Sequence, residues 1–159
     1  MAHSPADPNR DGYVTAYRDG TPVRVQVTAT DKTSTLTIPL GAKTLVSINQ
    51  LTKKGQWYRA KHAATWRQAG QHASIQAGLP TGLDYIQIDA FIYKPRLNRY
   101  DPGNTYPVLK WAIDGMVDYG LIPDDNWTHL DGPHIHHGGK DKNNPRIELV
   151  ITEKENPHA

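Results

Sequence analysis

Six side chains within a span of twenty-five residues have the types and spacing for phosphodiester chemistry. Asp101 opens an Asp-Pro-Gly-Asn turn and Asn104 closes it. Lys110 and Asp114 stand four apart, and Asp124-Asp125 form an adjacent acid pair. Acids that converge from two loops beside a lysine are what Mg²⁺-dependent cleavage of a phosphodiester needs. Mg²⁺ takes oxygen ligands, usually one or two carboxylates completed by water and substrate phosphate. The ion offsets charge on the phosphate and activates water, and a lysine neutralises the negative charge that develops. A plainer reading uses the same residues as local structure, with Asp101 capping a turn and Asp124-Asp125 in a solvated loop.

The element that positions these groups is a helix of about a dozen residues after the turn. Asn104 or Thr105 can cap its first N–H groups, and Pro107 is tolerated in a first turn. Leu109, Ile113 and Met116 recur at i, i+4 and i+7 as an apolar stripe, and Gly120 ends the helix. Lys110, Asp114 and Asp118 fall four apart on another face. One face is thus made for a core and another carries charge, with acids in the loops at both ends.

These residues resemble the core motif of the RusA family of Holliday-junction resolvases: Asp-x-Asp-Asn, a helix lysine, a helix acid, a glycine and a final Asp-Asp. Lys110 falls on the functional lysine, and Asp114-Gly115-Met116 falls on the step that follows it. Asp124-Asp125 falls on the acid pair, with Asp125 on the acid the family treats as catalytic. Asp101 matches the first acid and Asn104 the asparagine. Gly103 stands where the family has its second acid, and the interval from Asn104 to Lys110 is longer than usual. The resemblance covers roughly residues 35–153. It implies a homodimeric endonuclease using Mg²⁺, for which Mn²⁺ can substitute, with four-way DNA junctions as substrate. Asp101, Asn104, Lys110, Asp114 and Asp125 are then the catalytic set, and Asp101, Asp124 and Asp125 the metal ligands.

From Lys32 to Leu83 the chain has seven Lys or Arg and no Asp or Glu. Lys53, Lys54, Arg59, Lys61 and Arg67 lie in this run, interleaved with Gln50, Trp57, Tyr58 and Trp66. A basic run without acids and rich in aromatics and amides reads as a phosphate-backbone footprint, or as a solvated helix face and loop. Asn49 sits near where the resembled family carries an asparagine beside a basic loop. Lys94, Arg96 and Arg99 lead directly into Asp101, as suits a site that a polyanion must approach.

The remaining elements follow from periodicity. Arg59–Ala77 reads as a helix, with Ala63, Trp66, Gly70, Ala73 and Ala77 on a narrow small-residue face suited to close packing. Ser34–Pro39 and Arg146–Thr152 read as strands, and Asp84–Tyr93 alternates cleanly as a central strand. Thr128–Leu130 is a short strand candidate, and Asp131–Lys140 reads as a loop. Its His134, His136 and His137 invite a zinc reading, against which stands the lack of a clear four-ligand set. Residues 1–12 read as a disordered tail, 13–33 as a β-hairpin appendage turning at Asp19-Gly20, 34–153 as the nuclease domain and 154–159 as a polar tail.

A chain of 159 residues supports one domain with a real core. The absence of cysteine excludes disulfides and thiolate metal sites and suits a reducing cytoplasm. No apolar run reaches the roughly 20 residues of a membrane span. The expected fold is α/β, a small mixed β-sheet of four or five strands carrying two principal helices. The expected activity is Mg²⁺-dependent resolution of branched DNA. The alternatives are a junction binder that does not cut because Gly103 replaces an acid, and a structural protein whose acids only cap a helix.

Overall fold

Nine consecutive residues, Ile86–Lys94, form a strand that is buried on both faces over most of its length. Ile86, Ile88, Ala90 and Ile92 point to one side and Asp89 and Phe91 to the other, so the alternation seen in the sequence belongs to a central strand rather than an edge. The structure, a computed structural model, describes residues 13–18, 21–26 and 32–159. The expected tail over 1–12 and the Asp19-Gly20 turn lie outside the described residues.

In chain order the elements are β1 (Tyr13–Arg18), β2 (Thr21–Gln26), β3 (Lys32–Pro39), α1 (Ile48–Lys53), α2 (Gln56–Ala77), β4 (Ile86–Lys94), a 3-10 turn (Pro102–Thr105), α3 (Tyr106–Tyr119), β5 (Leu130–Lys140) and β6 (Arg146–Glu153). Strands β5-β4-β6-β3 make a four-stranded mixed sheet, with β4 parallel to β5 and antiparallel to β6. The β1/β2 hairpin continues the sheet beyond β5 through the pair Tyr17↔His137. The fold is therefore small, mixed α/β, with two long helices and one short one among the described residues. No described helix is long and apolar enough to cross a membrane.

The helices α2 and α3 cover the face that carries Leu36, Ile38, Ile88, Ile92, Ile147 and Leu149. Leu109, Ile113 and Met116 of α3 are buried there, as their spacing requires. On α2 the buried residues are Trp66, Gly70 and Ser74, so the small-residue face is narrower than the sequence implies and turns toward α3. Two glycines make the contact. A Cβ on Gly70 would lie 2.0 Å from the Ala112 carbonyl oxygen, and one on Gly115 would lie 1.9 Å from that of Arg67. Backbone meets backbone here, which only glycine permits.

Three expectations need correction. Residues Asp131–Lys140 are not a loop but most of β5, an eleven-residue strand. Gly and Pro make that segment a poor strand by local preference. It extends because β4 lies alongside it in parallel, and because irregularities in register take up the awkward residues. Gly132 and Pro133 together stand opposite Ile88, and Gly138 is the extra residue between the pairs Ile92↔His137 and Tyr93↔Gly139. A Cβ on Gly138 would sit 2.7 Å from the Tyr93 ring, so the small residue is required. The Thr128–Leu130 strand begins only at Leu130. Finally, α2 starts at Gln56 rather than Arg59, and the short helix α1 precedes it. α1 is fixed by a capping box in which Ser47 and Gln50 bond each other's backbone N–H groups. Gln50 is thereby committed to the helix start.

Candidate active site

The turn before α3 is built by Asp101. Its Oδ1 accepts the Gly103 N–H at 2.9 Å, and Thr105 Oγ1 donates to the Pro102 carbonyl at 2.6 Å. Neither Asn104 nor Thr105 caps α3 through its side chain, contrary to the sequence expectation. The 3-10 turn supplies the transition, so the capping function moves back to Asp101. Asp101 is exposed, and Asn104 is half-buried.

Lys110 lies one turn into α3 and bridges two carboxylates. Its Nζ donates to Asp114 Oδ1 at 3.0 Å and to Asp125 Oδ2. The Asp114 contact is the i,i+4 pair that helical spacing provides. Asp125 comes from beyond the helix. Gly120 ends α3 in the left-handed region at φ 103°, and the buried Leu121 and Ile122 anchor the chain as it turns back. That return brings Asp125 over Lys110. The Asp125 side chain is only 16 % exposed and that of Lys110 40 %, so the pair is partly withdrawn from water. Burial alone would lower the Lys110 pKa, but hydrogen bonds to Asp125 and Asp114 outweigh it and hold the ammonium above the ordinary lysine value.

Asp124 is placed differently from its neighbour. Its Oδ1 accepts the Asp125 N–H at 2.8 Å and its Oδ2 accepts from Asn126 Nδ2 at 3.0 Å. Both oxygens hold the turn that presents Asp125. Among the described residues no group of three or more acids or histidines lies close enough together to hold a metal ion. Asp101, Asp124 and Asp125 are thus not assembled into one cluster, and the carboxylates brought together are Asp114 and Asp125. Gly103 is not in the left-handed region, and a Cβ there would lie 3.3 Å from Asp101 Oδ1. A side chain at this position would start beside the Asp101 carboxylate.

The basic run divides into two groups. Asn49, Lys53, Lys54, Arg59 and Lys61 are exposed, and α1 lies against the 3-10 turn, which brings this stretch to the Asp101 end of α3. Arg67 is engaged elsewhere. Its Nε and an Nη bond both oxygens of Asp118 at 2.6 and 2.8 Å. Hydrogen bonding to Arg67 holds the Asp118 carboxyl below the usual carboxylate range, and the same bond raises Arg67. Arg67 therefore reads as a strut between α2 and α3 whose charge is already matched. Trp66, also read with the basic run, is fully buried and donates from Nε1 to the Thr44 carbonyl at 2.9 Å, so it is core. Arg96 and Arg99 are exposed on the segment leading into Asp101.

The three histidines have separate partners. His134 Nε2 meets Asp131 at 2.8 Å, and His136 Nε2 meets the buried Asp89 at 3.1 Å while its ring stacks on Phe91. His137 Nδ1 meets the Tyr100 hydroxyl at 2.5 Å. The zinc reading therefore finds no shared site. No family model matches the chain, and no curated protein matches it.

The sequence alone missed the Tyr100–His137 contact. It fixes the residue before Asp101 to β5, and the Lys94 ammonium lies 4.0 Å above the Tyr100 ring. Burial raises the Tyr100 pKa and lowers that of Lys94, which Arg96 lowers further. A signal was present in Tyr100 itself, an aromatic residue between Arg99 and the turn acid. Its partner became visible only once residues 131–140 proved to be a strand.

Proposed function

We propose that the protein is a metal-dependent endonuclease of branched DNA, cutting four-way junctions by phosphodiester hydrolysis. The observation that carries this reading is the half-buried Lys110, one turn into α3, bridging Asp114 and Asp125, while the exposed basic segment reaches the 3-10 turn that precedes the same helix through α1. The pattern of residues that resembles the RusA resolvases supports the same conclusion.

The donor chemistry fits Mg²⁺ or Mn²⁺. Asp114 and Asp125 offer hard carboxylate oxygens, and Asp101 stands exposed at the start of the same helix. Two carboxylates completed by water and substrate phosphate is a common way for Mg²⁺ to be held. When bound, the ion supplies charge stabilisation at the phosphate and a more acidic water. Lys110 orients the two carboxylates and places a positive charge where the phosphate develops negative charge. Asp124 holds the turn that presents Asp125. Asp101 and Asn104 shape the turn at the head of α3, and Lys53, Lys54, Arg59, Lys61, Arg96 and Arg99 neutralise the DNA backbone. Symmetric cutting of two strands calls for two copies related by a two-fold axis, so the working unit in this reading is a homodimer.

A junction binder that does not cut is the second reading. What favours it is Asp101, whose Oδ1 caps the Gly103 N–H where the resembled motif has another acid. A labelled four-way junction, incubated with and without Mg²⁺, separates the two. Metal-dependent nicks near the branch are the expected result. Tight binding with no product in Mg²⁺ or Mn²⁺ would overturn the endonuclease reading in favour of the binder, and no binding at all would overturn both.

A further inference from the structure

Trp57 is 91 % exposed, the most exposed of the large apolar side chains among the described residues. Full burial of such a ring is worth roughly 3 kcal/mol, so an indole standing in water is a binding resource that the fold itself does not use. The other exposed indole, Trp127, packs edge-on against His158 at 4.8 Å. Trp57 makes no ring contact among the described residues. Its position is set by the break between two helices. Lys54 ends α1, Gly55 caps α2 with extended backbone and no side-chain acceptor, and Trp57 is the second residue of α2.

The charged residues nearest to it in the chain are all of one sign. Lys53 and Lys54 precede it, Arg59 and Lys61 follow it, and all four are exposed. The first turn of α2 holds no acid. First-turn N–H groups of a long helix are themselves favourable for phosphate. What this surface would take is anionic and presents an aromatic face. Protein segments rich in acids meet the first condition without the second. A nucleotide whose base is out of the stack meets both, since bases stack on exposed aromatic rings while cations hold the adjoining phosphates.

We infer that Trp57 is a stacking platform for an unpaired DNA base, with Lys53, Lys54 and Arg59 holding the flanking phosphates. The inference rests on the DNA reading of the preceding subsection and adds its basis for selectivity. A continuous duplex hides its base faces, whereas a branch point exposes them. Trp57 therefore favours branched or single-stranded DNA over linear duplex, while the lysines bind all three alike.

The test is the affinity of the whole protein, by fluorescence anisotropy in Ca²⁺ or EDTA to stop cleavage, for a four-way junction, a deoxythymidine 20-mer and a linear duplex. Trp57→Ala should weaken the first two about tenfold and leave the duplex nearly unchanged. Trp57→Phe should recover most of the loss. The slope of log affinity against log salt should not move in either variant, because stacking releases no counterions. A junction affinity equal to wild type in Trp57→Ala overturns the inference and leaves the DNA reading standing. Equal losses on all three DNAs also overturn it, since they mean a general contact. If Trp57→Ala instead changes sedimentation from dimer to monomer at unchanged DNA affinity, the indole serves a second copy of the chain and the inference fails. A wild type that binds none of the three DNAs removes the DNA reading and this inference together.

Discussion

Replacing Gly115 by alanine tests whether the two long helices hold the site as described. An alanine Cβ at this position would lie 1.9 Å from the Arg67 carbonyl oxygen and 2.7 Å from the Gln71 nitrogen, where real Cβ contacts stay beyond 3.0 Å. The obstructing atoms are backbone of α2, so no rotamer change relieves them, and the helices must part by about 1 Å. Overpacking of this kind costs about 1–3 kcal/mol. Separation also forfeits a quarter to a half of the dispersion energy along the seam. Alanine recovers about 1 kcal/mol of helix propensity relative to glycine. The net expectation is a loss of about 2 kcal/mol, and at about 2–4 °C per kcal/mol for a chain of this size the melting temperature should fall by about 4–8 °C. Thermal melts followed by circular dichroism, with urea titrations to check the slope, measure it. Gly70→Ala should behave alike, and the pair should lose less than the sum because one displacement serves both. A Gly115→Ala variant at least as stable as wild type would mean that α3 does not cross α2 at this point, and the placement of Lys110 and Asp114 would fall with it.

Asp125→Asn should reduce junction cleavage by on the order of 100-fold or more while binding stays intact or tightens, because one anion facing the phosphate is lost. Asp114→Asn should be nearly as damaging, whereas Asp124→Asn should act mainly on the turn, costing about 1 kcal/mol of stability. Wild-type rates in single-turnover assays of Asp125→Asn would remove that residue from the site. Gly103→Asp should fold normally and shift the Mg²⁺ requirement of an already active protein only modestly. If a Mg²⁺ titration showed it switching on an inactive wild type, the binder reading would be the right one. Neutralising Lys53 and Lys54 together as glutamines should lower the salt slope of junction binding by about 1.8, the share of two phosphate contacts. An unchanged slope would place this stretch away from DNA.

What could be read from the sequence was what depends on neighbours in the chain. The stripe Leu109, Ile113 and Met116 and the pair Lys110–Asp114 need only helical geometry, and the structure contains both. The alternation of Ile86–Tyr93 likewise needs only strand geometry. Arg67 could be recognised as basic, but its meaning depends on Asp118, fifty-one residues away, whose two oxygens it holds. Residues 131–140 misled because their composition is poor for a strand, while their conformation is imposed by β4 alongside. Local preference spans about a kilocalorie per mole and yields to a full ladder of backbone hydrogen bonds.

Asp125 shows most clearly why the site was only half legible. The motif names it, but an acid eleven residues beyond Asp114 has no fixed direction in space. Its position is decided by Leu121 and Ile122, which are 1 % and 2 % exposed. The Leu121 N–H returns to the Met116 carbonyl at 3.2 Å, and the Gly82 and Leu83 N–H groups bond the Gly120 and Leu121 carbonyls at 2.8 and 2.9 Å. These contacts seat the end of α3 on the loop that follows α2. Only then does Asp124 close the next turn through the Asp125 N–H and turn the Asp125 carboxylate back to Lys110. The lysine and its first acid follow from one helix, whereas the second acid follows from the apolar plug beneath the loop. The geometry of the charged group is therefore coupled to the packing of Leu121 and Ile122, four and three residues before Asp125, side chains that carry no charge themselves.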